Sequence, residues 1–263
     1  MQIRKIESLA EMREVERLQR EVWGVEDLEV YPALALKPQT EVGAILMGAF
    51  DEGRMVGFVF GFPGILDGET IIHSDMLGIA EEYRSHNLGY LLKLAQRDAA
   101  IARGIERITW TYDPLQSRNA HFNFSKLGVI SDRYYIDYYG VTSSFLHRFG
   151  TDRLWVTWLL RSERVRSRIE RMIKPGAPGD LDQMPHLVRV GESHEPISAD
   201  EFDGRRVVIE IPTEISANQE RWREATRKAF TSAIGNGYVV EGFYVNEARQ
   251  VGSYVLRQDF QDS

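Results

Sequence analysis

Cysteine is absent from the 263 residues. That absence removes disulfides, thiolate nucleophiles and cysteine-ligated metal sites, so any group transfer must run by direct attack or through another nucleophile. Histidine is scarce as well: the six residues are scattered without the paired spacing of metal ligands, and neither a metal centre nor a flavin is expected. No apolar run approaches the roughly 20 residues that a membrane-spanning helix needs, and the first residues lack the apolar stretch of a signal peptide. A cytoplasmic protein without a membrane partner is the expectation. Basic residues are in deficit, 32 Lys and Arg against 39 Asp and Glu, and the resulting net charge of -7 argues against nucleic-acid binding, which requires a basic surface. An anionic ligand held by local backbone donors is still compatible with that charge.

What the chain does have is a strand-to-turn-to-helix passage rich in backbone donors. Residues 69–77 read as a strand, and residues 88–103 as a helix with apolar side chains at 88, 91, 92, 94, 95, 99 and 102. Between them lie Arg84, Ser85, His86 and Asn87, with Gly89 in the first turn of the helix. A helix opening leaves its first N–H groups unpaired and concentrates about half a positive charge there, which suits a pyrophosphate. An ordinary strand-to-helix turn with an exposed arginine is the alternative reading of the six residues alone.

The order of the flanking elements adds to this. A strand at residues 3–6 precedes a helix over 8–23, in which Ser8 and Glu11 have capping-box spacing. Strands at 44–50 and 55–62 flank the hairpin turn Asp51-Glu52-Gly53-Arg54. A strand at 107–112, a helical segment before Gly128, and two antiparallel strands at 129–139 and 154–160 follow.

Arg84, Asn87 and Gly89 occupy the three fixed positions of the signature Gln or Arg, x, x, Gly, x, Gly or Ala, and the segment resembles the acyl-CoA site of the GNAT superfamily of N-acyltransferases. Asn87 departs from the pattern, although asparagine tolerates left-handed dihedrals better than most residues with a side chain. The resemblance implies an α/β (mixed α+β) GNAT fold, a central mixed, mostly antiparallel sheet flanked by helices. The core would cover residues 1–162 and a C-terminal α/β extension residues 163–263. In the extension, a helix over 162–174 and a strand, helix, strand, strand succession at 206–211, 218–234, 238–245 and 252–256 echo half of the core. A homodimer formed through the extension is the alternative use for it.

The cosubstrate implied is acetyl-CoA or another acyl-CoA, with no metal. Its binding would fall to Arg84, Ser85, His86, Asn87, Leu88, Gly89 and Tyr90 at the pyrophosphate, to the backbone of Met76, Leu77, Gly78 and Ile79 along the pantetheine arm, and to Asn119.

Alternation along the strand predicts that His73, Asp75, Leu77 and Ile79 share one face. In the family, bases lie six and four positions before the residue matched by Ile79, so the resemblance implies His73 as general base assisted by Asp75. A hydrogen-bonded core histidine is the alternative. Many family members carry a tyrosine four residues before the glycine matched by Gly128, to protonate the leaving thiolate. Here that residue is Phe124, leaving Tyr112, Tyr135, Tyr138 or a water.

Asn119 and Asn123, four apart, are expected on one helix face, in reach of CoA or substrate. Trp110 and Asp113 end a core strand, where Asp113 is placed for a ligand or else for a turn before Pro114. The run Trp-Thr-aromatic-Asp-Pro-Leu, with the later Asp152-Arg153-Leu154, resembles a bacterial GNAT branch thought to N-acylate amino acids, some members using succinyl-CoA. Arg153 is then implied as the contact for a substrate carboxylate, for which a guanidinium is well suited.

The function expected is acyl transfer from acyl-CoA to a small-molecule amine, an amino acid among the candidates, by direct attack. A protein N-acetyltransferase and a non-catalytic acyl-CoA-binding or regulatory protein are the rivals.

Overall fold

The computed structural model describes residues 1–84, 86–142, 144, 147, 150–173, 175–199, 204–215 and 217–260. It divides into two compact units, Met1–Trp110 with Thr142–Arg148, and Thr111–Val141 with Phe149–Ser263. The compact units therefore do not part at residue 162. Residues 111–141 group with the C-terminal elements, to which they are joined through β-pairing and a shared aromatic core.

The first unit contains β1 (Gln2–Lys5), α1 (Leu9–Trp23), α2 (Ala33–Glu41), β2 (Ile45–Asp51), β3 (Arg54–Leu66), β4 (Glu69–Ile79), α3 (Leu88–Ile101) and the start of β5 (Arg107–Tyr112). Its strands lie in the order β1-β2-β3-β4-β5, antiparallel except for the parallel pair β4/β5. The capping box forms as expected: Ser8 Oγ accepts the Glu11 amide, and the Glu11 carboxylate accepts the Ser8 amide. Gly24, in the left-handed region at φ 62°, ends α1. Helix α2 is not anticipated by the sequence pattern, because Pro38 lies inside it and only Ala33 and Leu36 are buried.

One face of this sheet packs Phe58 and Phe60 against Met12, Val15, Leu18 and Leu36. The other face sets Val56 and Val59 against Leu88 and Leu92 of α3, with Leu77 and Ile79 at its margin.

Helix α3 sits rotated from the expected face. Leu91 is exposed, whereas Lys93, Gln96 and Arg97 are buried with Leu88, Leu92 and Ala100.

The second unit contains α4 (Ser117–Ala120), which runs on into a π-helical segment (His121–Leu127), then β6 (Ile130–Tyr135), β7 (Arg153–Leu159), α5 (Glu163–Ile169), β8 (His186–Val190), β9 (Pro196–Ser198), β10 (Arg206–Pro212), α6 (Gln219–Gly235), β11 (Tyr238–Asn246) and β12 (Val251–Gln258). Strand order here is β7-β6-β11-β12-β10-β8-β9, with only β8/β10 parallel. The strand, helix, strand, strand succession of the extension is present as β10, α6, β11 and β12; β8 and β9 precede it.

Candidate active site

Strand β4 is not regular. Its register against β3 runs Phe62 to His73 and Gly61 to Ser74, then Phe60 to Met76 and Val59 to Leu77, so Asp75 is the extra residue of a β-bulge. An inserted residue inverts the face parity beyond it. His73 therefore shares its face with Met76 and Gly78, opposite Phe62, Phe60 and Phe58, while Ser74, Leu77 and Ile79 share the α3 face. The expectation that His73, Asp75, Leu77 and Ile79 line one face is corrected by that single insertion.

The pairing of β4 with β5 includes Ile72 with Ile108 and His73 with Thr109, and among the described residues it ends there. Beyond this vertex β4 continues through the bulge. Hydrogen-bonded pairs alternate in an antiparallel ladder, and the Ala80 amide bonds to the Val56 carbonyl. By that alternation Met76 and Gly78 direct their backbone groups at β3, and Leu77 and Ile79 turn theirs outward. The Ile79 carbonyl accepts a long hydrogen bond from Arg84 Nε at 3.5 Å. Of the four backbone positions Met76 to Ile79, two therefore point away from β3.

His73 is half-buried at the vertex, its Nδ1 3.0 Å from Thr109 Oγ1 and its ring 5.5 Å from that of Phe62. Burial chiefly lowers its pKa to about 4, so the imidazole is neutral at neutral pH. Asp75 reaches solvent from the bulge, yet desolvation by the surrounding protein raises its carboxyl above the ordinary range.

Two residues that the sequence pattern did not bring forward complete this vertex. Lys93 of α3 is fully buried, with Nζ 3.0 Å from Ser74 Oγ, 3.1 Å from Gln96 Oε1 and 3.6 Å from the centroid of the Trp110 ring. Desolvation depresses its pKa well below 10.5. The available signal was a lysine and a glutamine three apart on a helix that otherwise buries leucine and alanine. Gly61 makes room for the pair, since a Cβ there would come within 2.8 Å of Gln96 Nε2.

At the other end of β4, Asn87 adopts the left-handed conformation at φ 57° and is the residue preceding α3; its side chain does not cap the helix. Its carbonyl accepts the amides of Tyr90 and Leu91, and helix geometry leaves the Leu88 and Gly89 amides without a carbonyl in the preceding turn. A Cβ at Gly89 would meet only Leu77 Cδ2, at 3.7 Å. Packing does not demand glycine there, whereas close approach of a phosphate to the backbone would. Arg84 and the exposed His86 flank this turn; Ser85 lies outside the described residues.

The remaining expected contacts belong to the second unit. Asp113 is committed within the protein: both its oxygens pair with Arg223, at 2.6 and 2.8 Å, and Oδ1 also accepts the Leu115 amide. Asn119 is exposed on α4, whereas Asn123 is buried in the π-helical segment, where the wider turn breaks the four-residue alignment expected of them. Arg153 is buried, its guanidinium 5.1 Å over the Tyr139 ring and donating to the Asp152 carbonyl at 3.0 Å. Phe124 packs edge-on to Tyr254 and Tyr112. Tyr254 donates to the Pro114 carbonyl at 2.6 Å and stands 3.0 Å from the Tyr112 hydroxyl; burial raises both phenols, so Tyr112 is a poor proton donor. Tyr138 is exposed and Tyr135 partly so.

No family model matches the sequence, and no curated protein matches it. Solved structures do match. A GNAT-family protein from Desulfovibrio desulfuricans superposes with a TM-score of 0.50 at 13% identity, the match spanning 60% of this chain and 98% of that one. The smu.2055 protein of Streptococcus mutans UA159 gives 0.50 at 16% identity, over 61% of this chain and all of the other. The fold is that of the GNAT acetyltransferases. The GNAT comparison accounts for about three fifths of the chain and leaves the rest as additional structure. Among the described residues no group of three His, Asp or Glu side chains is arranged to hold a metal, and no helix is long and apolar enough to cross a membrane.

Proposed function

We propose that the chain is an acyl-CoA-dependent N-acyltransferase that moves an acetyl or larger acyl group, succinyl among them, to the amine of a small molecule. The observation that carries this reading is the continuity of one element. Strand β4 parts from β5 at His73, bulges at Asp75, turns the Leu77 and Ile79 backbone outward, and leads into the left-handed Asn87 turn at the start of α3. A pyrophosphate at that helix N-terminus and an extended pantetheine along the freed strand edge satisfy the donors and acceptors present. The GNAT-family fold shared with the Desulfovibrio desulfuricans acetyltransferase supports this reading.

Chemistry would take place at the vertex. A neutral amine attacks the thioester carbonyl, an outward N–H of β4 stabilises the oxyanion, and His73, neutral at working pH, takes the proton. A pKa near 4 makes this imidazole a weak base, so the proton must leave as the C–N bond forms and acidifies the nitrogen. Asp75 assists from the bulge.

Calorimetric titration with CoA, acetyl-CoA and succinyl-CoA tests the cosubstrate, followed by thiol release across a panel of free amines and intact proteins. Micromolar binding with amine-dependent release supports the reading, and no binding at millimolar ligand ends it. Binding without release from any amine would favour a regulatory acyl-CoA-binding protein, a reading to which Phe124 and the committed Tyr112 lend some weight.

A further inference from the structure

The face of β4 opposite His73 holds a second reactive arrangement. Ser74 Oγ and Lys93 Nζ stand 3.0 Å apart, and Lys93 is oriented in turn by Gln96 Oε1 at 3.1 Å and by the Trp110 ring, whose centroid is 3.6 Å from Nζ. A nucleophile in hydrogen-bond reach of a base, with the base held by a third group, is the geometry by which serine is activated when lysine replaces histidine. Ser74, Lys93 and Gln96 are all buried, and they lie one residue past the last β4/β5 pair, where the two strands cease to be joined. Gln96 Nε2 is buried without a hydrogen-bond partner among the described residues, so one donor remains available for an acyl oxygen.

We propose that Ser74 and Lys93 form a nucleophile and base pair that accepts an acyl group on Ser74 and passes it to water, giving the protein an acyl-thioester hydrolase activity when no amine is bound. Desolvation of Lys93 supports the neutral amine this requires. In the first step Lys93 Nζ takes the Ser74 hydroxyl proton, Oγ bonds to the thioester carbonyl carbon, the C–S bond breaks, and Lys93 passes that proton to the departing sulfur, which leaves as the thiol while Lys93 returns to the neutral amine. In the second step water, deprotonated by Lys93, attacks the serine ester; the acyl–Oγ bond breaks and Ser74 recovers its proton. The sum is acyl-CoA plus water giving carboxylic acid and CoA thiol. The acyl-CoA donor rests on the function proposed above, but the pair itself does not.

The test uses the full-length protein without amine and two donors, acetyl-CoA and p-nitrophenyl acetate, reading thiol or nitrophenolate release and the mass of the peptide containing Ser74. Acetylation of Ser74 is expected, with release abolished in Ser74→Ala and slowed by about 10² or more in Lys93→Met. If nitrophenyl acetate acylates Ser74 and acetyl-CoA neither binds nor reacts, the pair stands and the acyl-CoA reading falls. If acetyl-CoA binds but neither donor modifies Ser74, or if Ser74→Ala releases product as fast as the native protein, the pair is overturned and the acyl-CoA reading survives. Acyl groups found on Lys93 with Ser74 unmodified overturn it equally.

Discussion

Protonating His73 should cost the folded protein stability, and the cost can be worked out in advance. The imidazole titrates near 4 in the folded chain against an ordinary 6.5, chiefly because it is buried. Between those pH values the unfolded chain binds a proton that the folded chain refuses, so unfolding takes up protons and stability falls as the solution is acidified. At about 1.4 kcal/mol per pH unit the gap corresponds to roughly 3 kcal/mol, and the partial exposure of the ring brings the expected figure to about 2–3 kcal/mol. The loss begins as pH drops through 6.5 and is complete near 4. Urea denaturation of the native protein and of His73→Asn, measured at half-unit intervals from pH 7.5 to 4, isolates this group, because every other titration cancels in the difference. The difference between the two proteins should move by that amount across the window. A flat difference would refute the claim that His73 is held neutral by its surroundings, and with it the picture of a histidine ready to take a proton at neutral pH.

Arg84→Ala should weaken CoA binding about tenfold or more, the scale of a hydrogen bond to a charged group, while Gly89→Val should fold normally and bind CoA still more poorly; calorimetry with thermal melts separates the two effects. Asp113→Ala leaves Arg223 buried without its bidentate partner and should destabilise the protein by about 3–5 kcal/mol in urea, with much of the loss recovered in the double variant Asp113→Ala/Arg223→Met. Phe124→Ala removes a fully buried ring from contact with Tyr112 and Tyr254 and should cost about 3–5 kcal/mol; a loss under 1 kcal/mol would contradict the tight aromatic packing.

The local devices were legible because each is written in adjacent residues. Ser8 with Glu11, the Glu52-Gly53 turn at φ 48° and 84°, and Asn87 in the left-handed region all stand where residue type alone placed them. What could not be read was anything decided by count or by tertiary packing. Nothing in the residues 73–79 announces that Asp75 is the inserted one, since a bulge is defined against the partner strand, and alternation therefore assigned half of β4 to the wrong face. The buried Lys93 and Gln96 ran against the hydrophobic template for α3 and became interpretable only with Ser74 and Trp110 beside them. Asn119 and Asn123 failed for a third reason: the four-residue rule belongs to the α-helix, and the chain widens into a π-helix between them.

The same inserted residue that defeats the alternation rule gives β4 its chemical versatility. Were Asp75 paired in register like an ordinary strand residue, His73, Leu77 and Ile79 would lie on one face, and Ser74 and Met76 on the other. With the bulge, Leu77 and Ile79 join Ser74 on the side of α3, and His73 stays with Met76 on the side of α1 and α2. A thioester led along the freed edge of β4 to the point where pairing with β5 ends would then meet two acceptor environments through the two faces of one sheet. One offers a neutral imidazole to an incoming amine, the other a buried hydroxyl and amine. Deleting Asp75 would leave His73, Met76 and Gly78 alternating with Ser74, Leu77 and Ile79 on the faces they already occupy, and would remove only the local kink. The deletion therefore separates the vertex from the packing of β4: it should fold like the native protein and lose activity, whereas Asp75→Ala, keeping the insertion, should leave the fold intact, and a deletion variant as active as the native protein would refute a role for the bulge.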